Sequence, residues 1–326
     1  MKFLRASIAT VSVLISWSVC AEPVKIVNIG HGYFSGSLYV AKREKLFEKY
    51  GLEPDISFVQ GGPLALQAAL TKQADVAIVS YEHILTSAVQ GKQVVAFFNI
   101  ANRPVNNVIG SEKLMAGSEK LSVEDKIKKL KGARVAMPSA GGSGEKMLGV
   151  LAKKYGLSLP GDISSVYLGA EAPSYVAAFQ KDLIDAALPF EPAGVLVQQE
   201  GKGKIYLNMM NGEVPELRDI LFMTLATHPD NIKEKPELLR KVAAAFADAV
   251  KILKGDPKKG KELMALEYPT MTPATNSQAY DIVSQIWPSS PVMSEAQARA
   301  TFAYLQPTGP QQVNFPSTFT NQFLPK

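Results

Sequence analysis

An alternation of strand and helix that stops and then restarts most constrains the fold of this 326-residue chain. Val24–Gly30, Glu53–Val59, Asp75–Val79 and Val94–Ile100 are short apolar runs. Between them lie helical periodicities over Leu38–Tyr50, from Gly61-Gly62-Pro63 to about Lys72, and from Tyr81 to about Gln90. Such a pattern predicts a parallel sheet covered by helices on both faces. Asn102–Gly110, with Pro104, Asn106 and Asn107, then reads as a break, and Ser111–Leu121 as irregular. Alternation resumes with strands at Ala133–Met137, Ile163–Leu168, Ile184–Leu188 and Lys204–Asn208, separated by helices at Glu145–Tyr155, Pro173–Lys181 and Pro192–Glu200. Leu221–Thr227 reads as a returning strand, and the rest is helical, led by the amphipathic Glu237–Leu253. The expectation is two α/β domains, 22–105 with 220–326 and 106–219, joined by a hinge that the chain crosses twice. A ligand cleft then falls at the carboxyl ends of both sheets.

The first 21 residues are of another kind. Lys2 and Arg5 precede the apolar Ile8–Trp17, and Val19-Cys20-Ala21 fits a cleavage site, so a signal peptide cleaved after Ala21 is expected. Cys20 raises a lipid anchor as the alternative, but Trp17-Ser18-Val19 suits lipidation poorly. The formal charge of +5 loses two positive charges with Lys2 and Arg5, leaving +3 on a mature chain without cysteine. Such a chain suits the periplasm, where a large core makes disulfides unnecessary. No basic block interleaved with aromatics points to nucleic acid.

Signatures of catalysis are missing. His31, His83 and His228 have no metal-ligand spacing, and Ser143 lacks the second glycine of a nucleophile elbow. Lys146 is followed by Met147, not Ser or Thr, and Met147 also replaces the third glycine of a dinucleotide fingerprint. No catalytic residue, metal or cofactor is expected. His83 reads as a helix-surface residue, His228 as a hinge or cap residue, and His31 as either a ligand contact or a cap.

Binding signals gather in the strand-to-helix loops. Candidates are Tyr33, Phe34, Ser35 and Ser37 after the first strand, Gly61 and Gly62 after the second, and Ser80 and Tyr81 after the third. The second unit adds Ser139, Gly141, Gly142 and Ser143, then Phe190 and Glu191. Backbone N–H groups at helix starts suit a small oxyanion, and the aromatics suit a planar body. Ser and Gly are also ordinary turn residues, and Glu191-Pro192 reads equally as a helix start. Tyr39 reads as core, and Trp287 as cleft or core.

Four stretches, LYVAKREKLFEKYGLEPDISFVQGG, ALTKQADVAIVS, LKGARVAMPSAGGSGEKMLGVLAKKYGL and FQKDLIDAALPFEPA, carry a resemblance over residues 24–230. The chain resembles the periplasmic substrate-binding proteins of nitrate, sulfonate and taurine ABC transporters, which share a domain with thiamine-pyrimidine synthesis proteins. The resemblance implies a type II periplasmic-binding-protein fold, a monomer, and a hinge that closes on a small sulfonate, carboxylate or pyrimidine before delivery to an inner-membrane permease. It places the cleft on the loops at Ser35–Ser37, Gly61–Gly62, Ser80–Tyr81, Ser139–Ser143 and Phe190–Glu191. Glu145 departs from the sulfonate binders, because a carboxylate there repels an anion unless it points away. The alternatives are a pyrimidine-precursor synthesis enzyme, whose cysteine-rich motif this mature chain lacks, and an exported sensor or binding subunit of another transport system.

Overall fold

The computed structural model describes residues 21–305 and 312–325. The expected signal segment and Cys20 lie outside them. Ten strands are present among the described residues: β1 Glu22–Asn28, β2 Leu52–Phe58, β3 Val76–Ser80, β4 Val95–Ala101, β5 Val108–Ser111, β6 Arg134–Met137, β7 Ser164–Tyr167, β8 Ala186–Ala187, β9 Gly203–Leu207 and β10 Met223–Thr227. They form two five-stranded sheets, ordered β2-β1-β3-β10-β4 and β7-β6-β8-β5-β9.

Neither sheet is purely parallel, which corrects the expectation. β10 runs antiparallel to both β3 and β4, and β5 antiparallel to both β8 and β9. The cause is the double crossing. Strands built within a lobe run toward the other lobe, whereas a strand that has just crossed over starts at the junction and runs away from it. β5 also fills the stretch read as a break and an irregular segment. Its four residues sit beside Pro104 and two asparagines, so no alternating pattern announces it.

Every residue of β3, a central strand, and of β4, an edge strand, is buried. The helix Pro236–Gly255 lays Leu238, Leu239, Val242, Phe246, Ala249 and Leu253 against the first sheet. Phe246 meets Phe47 and Phe98 edge-on, each at 6.0 Å between ring centroids. Burying one such ring contributes about 1.5–3 kcal/mol. The C-terminal segment covers the free edge of β4: Ala96 N donates to Thr318 O at 2.9 Å and Thr320 N to Ala96 O at 2.8 Å.

The two crossings, residues 102–107 and 208–222, are stitched together. Ile220 N donates to Asn102 O (3.1 Å), Phe222 N to Ala101 O (3.0 Å), and Met210 N to Asn107 Oδ1 (3.0 Å). These bonds tie the two crossings into one strap between the lobes. No helix among the described residues is long and apolar enough to cross a membrane.

Candidate functional site

The lobes meet where β1 and β3 end in one and β6 and β8 end in the other. Ile29, Gly61 and Gly62 come from the first lobe, and Met137, Pro138, Ser139, Gly142 to Glu145 and Phe190 from the second. Asn106 enters from the hinge. The space between them is about 10 Å³, the size of a single water. The lobes are therefore shut.

Glycine makes this closeness possible. Gly61 has φ +94°, a conformation that favours glycine, and a Cβ there would stand 2.2 Å from Ser139 Oγ. A Cβ on Gly62 would stand 2.1 Å from His83 Nε2. The helix Ser143–Lys154 starts at the loop, with Gly142 in extended conformation at its N-cap. Its Ser143 Oγ accepts from Ser80 Oγ at 3.1 Å, across the lobes. Tyr33 N donates to Glu191 O at 2.8 Å, and the Phe34 and Phe190 rings tilt together at 4.8 Å.

The structure divides the candidates named from the sequence. Gly61, Gly62, Ser139, Gly142, Ser143 and Phe190 line the cleft. Gly141, with φ +66°, stands one residue behind, its N–H held by Glu145. Others turn into the lobes, and this is a correction. Tyr33 donates its hydroxyl to Asn276 Oδ1 and stacks on Tyr268 at 4.8 Å. Ser35 Oγ accepts from Asn28 Nδ2 at 2.8 Å, and Ser37 is buried in the helix Gly36–Arg43. Tyr81 reaches Thr318 Oγ1 at 2.5 Å. Their loops reach the junction, but burial of large rings against the helical tail contributes more than exposure in a cleft. Tyr39 and Trp287 are core.

Glu191 Oε2 accepts from Val195 N at 2.9 Å, capping the helix Ala193–Glu200, and burial pushes its carboxyl up to about 7. His228 caps too, accepting from Asp230 N at 3.2 Å. His31 stacks on Phe58 at 3.9 Å, outside the cleft.

His83 corrects another expectation: it is buried, not on the surface. Its Nε2 lies 3.3 Å from the buried Glu82 Oε1, and Lys146 of the other lobe closes the group. Burial pushes Glu82 up to about 7 and His83 down to about 3. The sequence signal missed was the helical register: His83 lies on the face of the Tyr81–Val89 helix that Gly62 leaves open. Asn106, noted in the sequence only as part of a break, lines the cleft without having been anticipated, as do Ile29, Met137 and Pro138.

Comparison with known proteins follows from this geometry. A Brucella abortus protein named as a candidate binding protein is 22% identical over 243 residues, spanning 74% of this chain and 70% of its own. A Bordetella bronchiseptica structure superposes with a TM-score of 0.80 at 23% identity, covering 92% of this chain and 95% of that one. The alkanesulfonate-binding protein SsuA of Xanthomonas axonopodis pv. citri gives a TM-score of 0.67 at 17% identity, covering 91% and 98%. The fold is thus the two-lobed periplasmic-binding-protein fold that the resemblance implied. The family described as NMT1/THI5 like matches residues 34–260, more than half of the sequence, and the chain belongs to that family.

Proposed function

We propose that the protein is the periplasmic solute-binding component of an ABC importer, and that it captures a small sulfonate, carboxylate or pyrimidine by hinge closure and hands it to a membrane permease. The observation that carries this reading is the shut cleft itself, five loops from two lobes meeting on one point beside a two-strand hinge. Residues 22–105 with 220–326 form one rigid lobe in this reading, and 106–219 the other. Affinity arises from desolvated hydrogen bonds, and no bond in the solute is broken. The mature chain starts at Glu22, is exported, and works as a monomer. The relatives named as binding proteins and the likeness to a sulfonate-binding protein support this reading.

The test is thermal-shift screening of the three solute classes on the mature protein. A solute at 100 times its Kd stabilises by about 2.7 kcal/mol. Gly142→Asp, which places a negative charge in the cleft, is expected to abolish the shift of a sulfonate or carboxylate hit. A hit of either anionic class whose binding survives Gly142→Asp unchanged overturns the cleft assignment.

A further inference from the structure

Glycine loops at helix starts ordinarily offer their N–H groups to a bound anion. Here the chain supplies that anion itself. Glu145, in the first turn of the Ser143–Lys154 helix, folds back so that its Oε2 accepts from Gly141 N at 2.6 Å. Its Oε1 accepts from Ser165 Oγ at 3.1 Å and from the Tyr167 hydroxyl. Glu145 is one of the residues of the cleft wall, and these bonds fix its carboxylate beside the loop.

An independent observation concerns Asn106, which is 1% exposed and lines the same space. Its Nδ2 donates to Leu188 O at 3.0 Å and Pro189 O at 2.8 Å. Those two bonds settle which end of the amide is nitrogen. Oδ1 is left buried without a hydrogen-bond partner. A buried acceptor in that condition is destabilising until a donor reaches it. No Lys or Arg among the described residues lines the cleft. Lys146, one residue beyond Glu145, is engaged with His83 and Glu82.

We infer that the cleft takes a small solute presenting N–H donors, neutral or cationic, and that Glu145 and Asn106 together exclude free oxyanions. This inference rests on the solute-binding reading and narrows it. A donor-bearing edge satisfies Asn106 Oδ1 and is attracted by Glu145, whereas an oxyanion meets two acceptors, one of them charged. Like charges brought together in a desolvated site repel each other.

The test uses an isosteric pair, benzamidine and benzoate, titrated by calorimetry into the mature protein. Wild type is expected to bind benzamidine at least about tenfold more tightly than benzoate. Glu145→Gln keeps an acceptor for Gly141 N and removes the charge. It is expected to reduce the benzamidine preference by about tenfold or more, and Asn106→Ala to weaken benzamidine alone. Amide hydrogen exchange at Gly141 checks that Glu145→Gln preserves the loop. Tighter binding of benzoate by wild type overturns the inference and leaves the solute-binding reading standing. An unchanged preference in Glu145→Gln with a protected loop removes Glu145 from specificity. Failure of both probes at millimolar concentration overturns the inference, and failure of the whole solute panel overturns the function as well.

Discussion

Lys146 Nζ, on the second lobe, lies 3.0 Å from His83 Nδ1, on the first. Glu82 Oε1 completes the group, 3.3 Å from His83 Nε2 and 3.9 Å from Lys146 Nζ. An ammonium donating to a neutral imidazole is the arrangement that fits the depressed basicity of His83. The three side chains tie the lobes together just behind the cleft.

This cluster makes stability depend on pH through two opposed terms. Burial raises the Glu82 carboxyl from 4.5 to about 7, so the folded state holds its proton more tightly than the unfolded chain. That contribution is complete below about 4.5 and is lost as pH rises through 7. Burial lowers His83 from 6.5 to about 3, which costs stability as pH falls below 6.5. Glu82→Gln removes only the first term. Its melting temperature, measured against wild type by calorimetry, is expected to gain steadily between pH 4.5 and 7. A difference that stays flat across that range would show that Glu82 is not the group involved.

Gly62→Ala tests the packing of His83. The new methyl would meet Nε2 at 2.1 Å and Cδ2 at 2.4 Å of a buried ring. Overpacking of this kind costs about 1–3 kcal/mol. Gly255→Ala is the control: nothing lies within 4 Å of its Cβ position. Urea denaturation is expected to show a loss for the first and none for the second.

Gly61→Ala addresses closure. Its Cβ would stand 2.2 Å from Ser139 Oγ and 2.9 Å from Ser139 Cβ, both on the opposite lobe. The lobes are then held apart, and small-angle scattering is expected to lose the compaction that solute brings to wild type. Retained compaction would mean that the two loops do not meet in the closed state.

Tyr33→Phe separates core from cleft. The hydroxyl donates to Asn276 Oδ1 and the ring stacks on Tyr268, both in the first lobe. Leaving Asn276 unpaired costs about 1–3 kcal/mol. Stability is expected to fall by that amount while solute affinity holds. A large affinity loss with unchanged stability would return Tyr33 to the cleft.

The two-lobed plan was legible because apolar runs, glycines and prolines punctuate nearly every element. What escaped the sequence was set by partners far along the chain. β5 is four residues long and takes its burial from β8 and β9. The antiparallel course of β10 follows from where it re-enters, which no local pattern records. Candidate loops were visible from their Ser and Gly content, but not which side chains face inward. Tyr81 and Ser80 are neighbours, yet one reaches Thr318 and the other Ser143. His83 looked like surface because its burial depends on a glycine 21 positions earlier and a lysine 63 positions later.

The position of β10 also governs the order in which the molecule is assembled. β3 and β4 are joined only through this strand, and Thr224 Oγ1 bonds to Val79 O across 145 residues of chain. Closing such a loop costs about 4 kcal/mol of chain entropy before any contact repays it. The second sheet draws all its strands from residues 108–207. The inserted lobe is thus able to form on a growing or refolding chain while its host still has an open slot. A chain cut short before Met223 would bare one edge of β3 and both edges of β4, whose outer edge the C-terminal segment covers, a template for aggregation.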